Sequence, residues 1–202
     1  MSVPPALRRA TTADIPALAG MLARAFADDP VAVWSSPPDG LRPTMLERFH
    51  SARLRQLIAH EEVWTTGDLA CAALWSPPPG HADTSAREGL ELAGALRNPR
   101  LVWRLPLIAP GLLRVQNAHP HTPPHWYLAV LGTEPSAQGQ GLGSATLQPV
   151  LERCDADGVA AYLESSKQSN IAFYARHGFR VTGELSLPRG PTVWPMWRDP
   201  RP

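Results

Sequence analysis

The chain has 202 residues, 44% hydrophobic and 18% charged, with a formal net charge of +1. Such a chain forms one folded domain (1–202) with a sizeable core, which excludes a disordered protein. The near-neutral balance removes the electrostatic case for nucleic acid as a partner, and no apolar run suits a membrane span or a secretory signal.

Leu7 to Ala10 is expected as a short first strand. Thr11-Thr12-Ala13-Asp14 opens a helix, with a threonine cap and an acid in the first turn. Ile15, Leu18, Leu22, Ala25 and Phe26 share its apolar face. Asp28-Asp29-Pro30 ends it; these acids are either solvated helix-end residues or face an amine substrate. Val31 to Pro43 reads as loop, and Met45, Phe49, Leu54, Leu57 and Ile58 as a second helix. Glu62–Thr66 and Ala70–Trp75 form a hairpin about Gly67-Asp68. Ser85–Leu96 and Arg100–Val115 read as helices, interrupted by Asn98-Pro99 and Pro106, that wall one side of the sheet. Ala118 to His125 holds three histidines among three prolines but no acid or cysteine, so it reads as a connector rather than a metal site. Cys71 and Cys154 form no paired motif and are expected as free buried thiols in a reducing cytoplasm.

Trp126 to Leu131 has the length and composition of a buried strand. Gln138-Gly139-Gln140-Gly141-Leu142-Gly143 follows, then Leu147, Val150, Leu151 and Cys154 at helical spacing. A helix start presents unpaired N–H groups and the positive end of its dipole, and glycine lets a ligand reach them. The pattern is neither the P-loop nor the dinucleotide fingerprint. It is an anion site, or a glycine-rich turn that only starts a helix. Val159–Leu163 is a further strand ending at Glu164, Asn170–Arg176 a short helix closed by Gly178, and Phe179–Leu187 and Thr192–Trp197 two final strands. The order describes a mixed α/β sheet with helices on both faces.

Gln138-x-x-Gly141-x-Gly143 resembles the acetyl-CoA pyrophosphate loop of the GCN5-related N-acetyltransferases. Asn170-Ile-Ala-Phe-Tyr174-Ala-Arg-His-Gly178-Phe179 resembles the downstream signature of the same family. The similarity is nearest to the puromycin N-acetyltransferase type, through Ala25-Phe26-Ala27-Asp28, Leu163-Glu164-x-Ser166 and Pro188-x-Gly190-Pro191. Asp29 stands where that type aligns an aromatic residue. The resemblance implies the GNAT fold: a central mixed, mostly antiparallel sheet whose parallel strands at Trp126–Leu131 and Val159–Leu163 splay at their C-terminal ends.

Acetyl-CoA is the co-substrate that the resemblance implies, with no metal. Pantetheine is expected against Leu131, Gly132 and Thr133. The pyrophosphate is expected on Gln138, Gly139, Gln140, Gly141, Leu142, Gly143 and Ser144. Asn170 either hydrogen-bonds the cofactor or caps its helix. Tyr174 is the expected general acid, or else a packed aromatic. Glu164 is the expected general base, or else a strand-end carboxylate in solvent. The family layout puts Trp34 and Trp75 near the acceptor, and Asp29, on its amine-facing reading, is a third acceptor-site candidate. The acceptor reads as a small-molecule amine, with a protein N-terminus or lysine as the alternative. A non-catalytic acyl-CoA-binding regulator is a further reading. The assembly is left open between monomer and homodimer.

Overall fold

A computed structural model describes residues 6–36, 40–60, 62–78 and 104–201. The helix expected over Ser85–Leu96 lies outside these residues. The strands are β1 Leu7–Arg9, β2 Val63–Thr66, β3 Cys71–Ser76, β4 His125–Thr133, β5 Ala160–Ser165, β6 Arg180–Val181, β7 Leu185–Ser186 and β8 Thr192–Arg198. The α-helices are α1 Ile15–Ala25, α2 Pro30–Ser35, α3 Arg42–Ile58, α4 Leu105–Ala118, α5 Leu142–Asp157 and α6 Ile171–Arg176.

The strands form one eight-stranded sheet in the order β1-β2-β3-β4-β5-β8-β6, with β7 also on β8. Only the β4–β5 pair is parallel. This is the mixed, mostly antiparallel sheet expected. Ile15, Leu18, Leu22, Leu54 and Leu57 of α1 and α3 pack on Ala72, Leu74 and Val130. Leu147, Val150, Leu151 and Cys154 of α5 and Tyr174 of α6 pack with Ala73, Trp75, Trp126, Leu128 and Leu163. These two sets alternate along β3, as a period of two requires. Cys71 and Cys154 are both free and buried.

Local chemistry explains most boundaries. Thr11 and Asp14 exchange a capping box before α1, with the Thr11 N–H 2.8 Å from Asp14. Left-handed Gly158 closes α5.

The segment expected as loop after Asp29 contains α2 instead. Asp29 accepts from the N–H groups of Val31 and Ala32 at 2.9 and 3.0 Å, and Pro30 occupies the first turn. The acid and proline read as a helix stop are the start of the next helix. Pro106 likewise does not interrupt α4: it sits in the first turn, where its missing N–H costs nothing.

The strand expected over Phe179–Leu187 is broken into β6 and β7. Thr182 N–H donates to the Pro195 carbonyl at 2.9 Å, but Pro195 has no N–H to return. The ladder lapses at that point.

Candidate active site

The parallel register runs from His125↔Ala160 to Leu128↔Leu163 and stops. β4 continues to Thr133 against β3, and β5 continues to Ser165 against β8. The facing edges of Ala129–Thr133 and of Glu164–Ser165 therefore separate. A bulge sits at the start of the split: Leu74 faces Val130 while Trp75 faces Leu128, so Ala129 is an extra residue. Leu128 belongs to the α5 core, whereas Ala129 and Val130 both turn to the α1 core.

Pro195 spends its carbonyl on Thr182, so its backbone points away from β5. Glu164, opposite Pro195, then aims its own N–H and C=O into the split. Unpaired backbone on both lips makes a slot that can hydrogen-bond an extended amide chain.

A cavity of about 580 Å³ occupies the split. Its wall includes Leu131, Gly132, Thr133, Gln138, Gly139, Gly141, Leu142, Gly143, Ser144, Asn170 and Tyr174. Gln138 donates to the Thr133 carbonyl at 3.3 Å and folds the loop back on β4. Gly141 caps α5 at φ +82°, and nothing lies within 4 Å of where a Cβ would stand. The backbone is thus bare on the cavity side of the helix mouth. The Ala145 N–H bonds the Gly141 carbonyl at 3.0 Å, and the amides before it have no partner within the helix. Open backbone, glycine and a helix dipole fit a diphosphate. Gln140 is the exception among the expected loop residues: it does not line the cavity, and its side chain turns back on the Ser136 carbonyl at 3.5 Å.

Tyr174 is 8% exposed and reaches the cavity from α6. Burial and then the charge of Asp29 push its phenol well above its ordinary range, so it stays protonated. Asp29 lines the same cavity but spends one oxygen on the α2 cap and the other on the Ser166 hydroxyl. Its neighbour Asp28 is the solvated residue, paired with Lys167 at 2.7 Å. Asn170 makes no capping bond and is exposed on the cavity wall.

Glu164 lines the cavity, and its side chain is 10% exposed. Its Oε1 lies 3.3 Å from His119 Nδ1, at the end of α4. His119 Nε2 lies 3.2 Å from His125 Nε2, and His125 Nδ1 lies 2.9 Å from the Pro123 carbonyl. Tyr127 and Tyr162 ring this group, each centred 4.7 Å from His119. Burial first, then the charge of Glu164, push both phenols up. Two of the three connector histidines, His119 and His125, thus back Glu164 from behind the cavity wall without lining the cavity. Their proline-rich setting hid this in the sequence; the only trace was a histidine opening a buried strand. Among the described residues, no cluster suits a metal ion.

Trp34 and Trp75 do not line the cavity. Trp75 is fully buried beneath α5, because strand parity turns it to that core. Trp34 sits in α2, packs with Met45, Ile108, Leu187 and Val193, and donates to the Pro188 carbonyl at 3.1 Å. Their apolar bulk is used for packing, which corrects the acceptor expectation.

A sequence profile of the Acetyltransferase (GNAT) family matches residues 49–179. An uncharacterized N-acetyltransferase of Schizosaccharomyces pombe is 28% identical over 91% of this chain and 78% of its own. A Corynebacterium glutamicum structure described as histone acetyltransferase HPA2 and related acetyltransferase superposes with TM-score 0.70 at 24% identity, covering 99% and 98% of the two chains. The Drosophila melanogaster polyamine N-acetyltransferase, which forms N-acetylagmatine, superposes at 0.64 with 14% identity, covering 96% and 99%. The two solved structures share the fold, and the profile spans more than half of the chain. The chain belongs to the acetyltransferase (GNAT) family and is an acetyl-CoA-dependent N-acetyltransferase.

Proposed function

We propose that the protein acetylates a primary amine of a small molecule by direct attack within a ternary complex. One observation carries this reading: the glycine-loop amides, the split strand edges, Glu164 and Tyr174 all line a single cavity. Acetyl-CoA supplies the acetyl group as an activated thioester. The helix mouth from Gly139 to Ser144 would hold its diphosphate, and the edges at Leu131–Thr133 and Glu164 its pantetheine amides. Asn170, whose side chain makes no capping bond although it stands at the N-cap position, would hydrogen-bond it. Glu164 removes a proton from the ammonium form of the acceptor, and Tyr174 delivers one to the departing sulfur. Backbone N–H groups of the split stabilise the carbonyl oxygen as charge develops.

Asp29, Phe26 and Ser166 wall the same cavity, and Asp29 is an anionic feature suited to an amine. The resemblance to the puromycin type favours a small acceptor. The histone-named relative keeps a lysine side chain as the second reading. An amine panel read by free CoA thiol tests the choice: puromycin, agmatine, spermidine, a histone-tail peptide and a free-N-terminus peptide. Turnover of a small amine at least tenfold above both peptides supports the proposal; the reverse order overturns it.

A further inference from the structure

We infer that the base is not Glu164 alone but a coupled Glu164–His119 pair whose proton inventory is set by His125. The inference rests on the acetyl-transfer reading above. The Pro123 carbonyl can only accept, so His125 Nδ1, 2.9 Å away, carries hydrogen. His125 is fully buried, and burial, the largest influence, lowers its affinity for a second proton. Its Nε2 is therefore a bare acceptor, and His119 Nε2 at 3.2 Å must donate to it. That fixes His119 with Nδ1 turned to Glu164 Oε1 at 3.3 Å. Two arrangements make this contact a hydrogen bond: imidazolium beside carboxylate, or neutral imidazole accepting from a carboxylic acid. Both hold the same single proton. Without it, two lone pairs face each other.

The pair thus has a loaded form, described by this hydrogen bond, and a base-competent form lacking one proton. In the reaction an ammonium R–NH3+ passes one proton to the base-competent pair. The N–H electrons remain as the nucleophilic lone pair, and the pair goes from one negative charge to none. Releasing that proton to water resets it. His119 is a positioning and proton-sharing residue here, and His125 acts through it.

The other groups facing the pair stay out of the exchange. Tyr127 of β4 and Tyr162 of β5 remain protonated, for the reasons given above. The Arg53 guanidinium of α3 bears on Tyr127, and exposed His121 bears on His125. Trp197 of β8 lies tilted against His125, with ring centroids 5.2 Å apart, and has no proton to exchange.

Two measurements on the full chain test this. Nitrogen spectra of 15N-histidine protein, from about pH 5 to 9, report tautomers without any variant. His125 should stay an Nδ1–H tautomer while His119 titrates at Nδ1. His125 protonated at Nε2 instead, or a non-titrating His119, overturns the inference. The second is the pH profile of kcat/KM for the fastest amine of the panel. H119N places an amide N–H where Nδ1 faces Glu164 but cannot share a proton, so the acid limb should move by about one pH unit or more, with KM for acetyl-CoA unchanged. An unmoved limb in H119N, with E164Q still crippled, overturns the pair and leaves Glu164 as a lone base. Full activity in E164Q removes Glu164 from the reaction altogether.

Discussion

The Tyr174 phenol owes its fixed protonation to being buried in a wall that also holds the Asp29 carboxylate. Tyr174→Phe should lower kcat by about tenfold to a hundredfold and leave acetyl-CoA affinity nearly intact. Steady-state kinetics with calorimetry check this, and an unchanged kcat removes Tyr174 from proton delivery. His50 poses a different problem. It is buried in α3 against Phe26, and neither ring nitrogen has a hydrogen-bond partner among the described residues. Burial lowers its pKa from 6.5 to about 4. The unfolded chain takes up this proton first as pH falls, so the stability from neutral His50 is full above 6.5 and lost on approach to 4. The loss amounts to about 3 kcal/mol. His50→Leu should flatten the fall of Tm across that interval, as thermal melts at stepped pH would show. An equally steep fall in the variant would place the acid sensitivity elsewhere.

Two glycines in neighbouring elements answer to different constraints, packing at one and backbone conformation at the other. A Cβ on Gly132 of β4 would stand 2.5 Å from Leu22 and 3.2 Å from Phe26, so α1 lies on this strand only because the residue is glycine. Gly132→Ala should cost about 1–3 kcal/mol of stability, read from urea unfolding. Gly141 has open space around it but a left-handed φ of +82° at the mouth of α5. Gly141→Val should raise the acetyl-CoA Kd tenfold or more, about 1.4 kcal/mol; calorimetry giving an unaltered Kd would exclude that loop as the anion site. Gly132→Ala should thus show its effect in unfolding, whereas Gly141→Val, strained at a left-handed φ, should lose stability as well as binding. The bulge at Ala129 belongs to this scale as well: it turns two successive residues toward α1 and starts the split.

Across the whole molecule, the cavity joins pieces distant in sequence: the end of α1, both lips of the split, the mouth of α5 and the side of α6. A ligand that binds only the folded state stabilises it by about 2.7 kcal/mol at a hundred times its Kd. Acetyl-CoA should accordingly raise Tm by several degrees in the wild type and much less in Gly141→Val. No helix among the described residues is long and apolar enough to cross a membrane. Much of this architecture was legible in the residues themselves. The glycine turn, the helix of Leu147–Cys154 and the strands around them are written in local spacing, because backbone conformation and one-sided burial act over a few residues. Other features depend on partners remote in the chain. Asp29 begins a helix rather than ending one, and Pro195 breaks a strand it merely faces. Trp34 and Trp75 were absorbed into cores that their spacing did not announce. His119 and His125, set among prolines, gain a carboxylate partner only when β4 and β5 align. Spacing alone determined most of the helices and strands and where a glycine-rich helix mouth lies. Tertiary structure decided which side chains meet, since hydrogen bonds form by proximity in space and the sequence records only order along the chain.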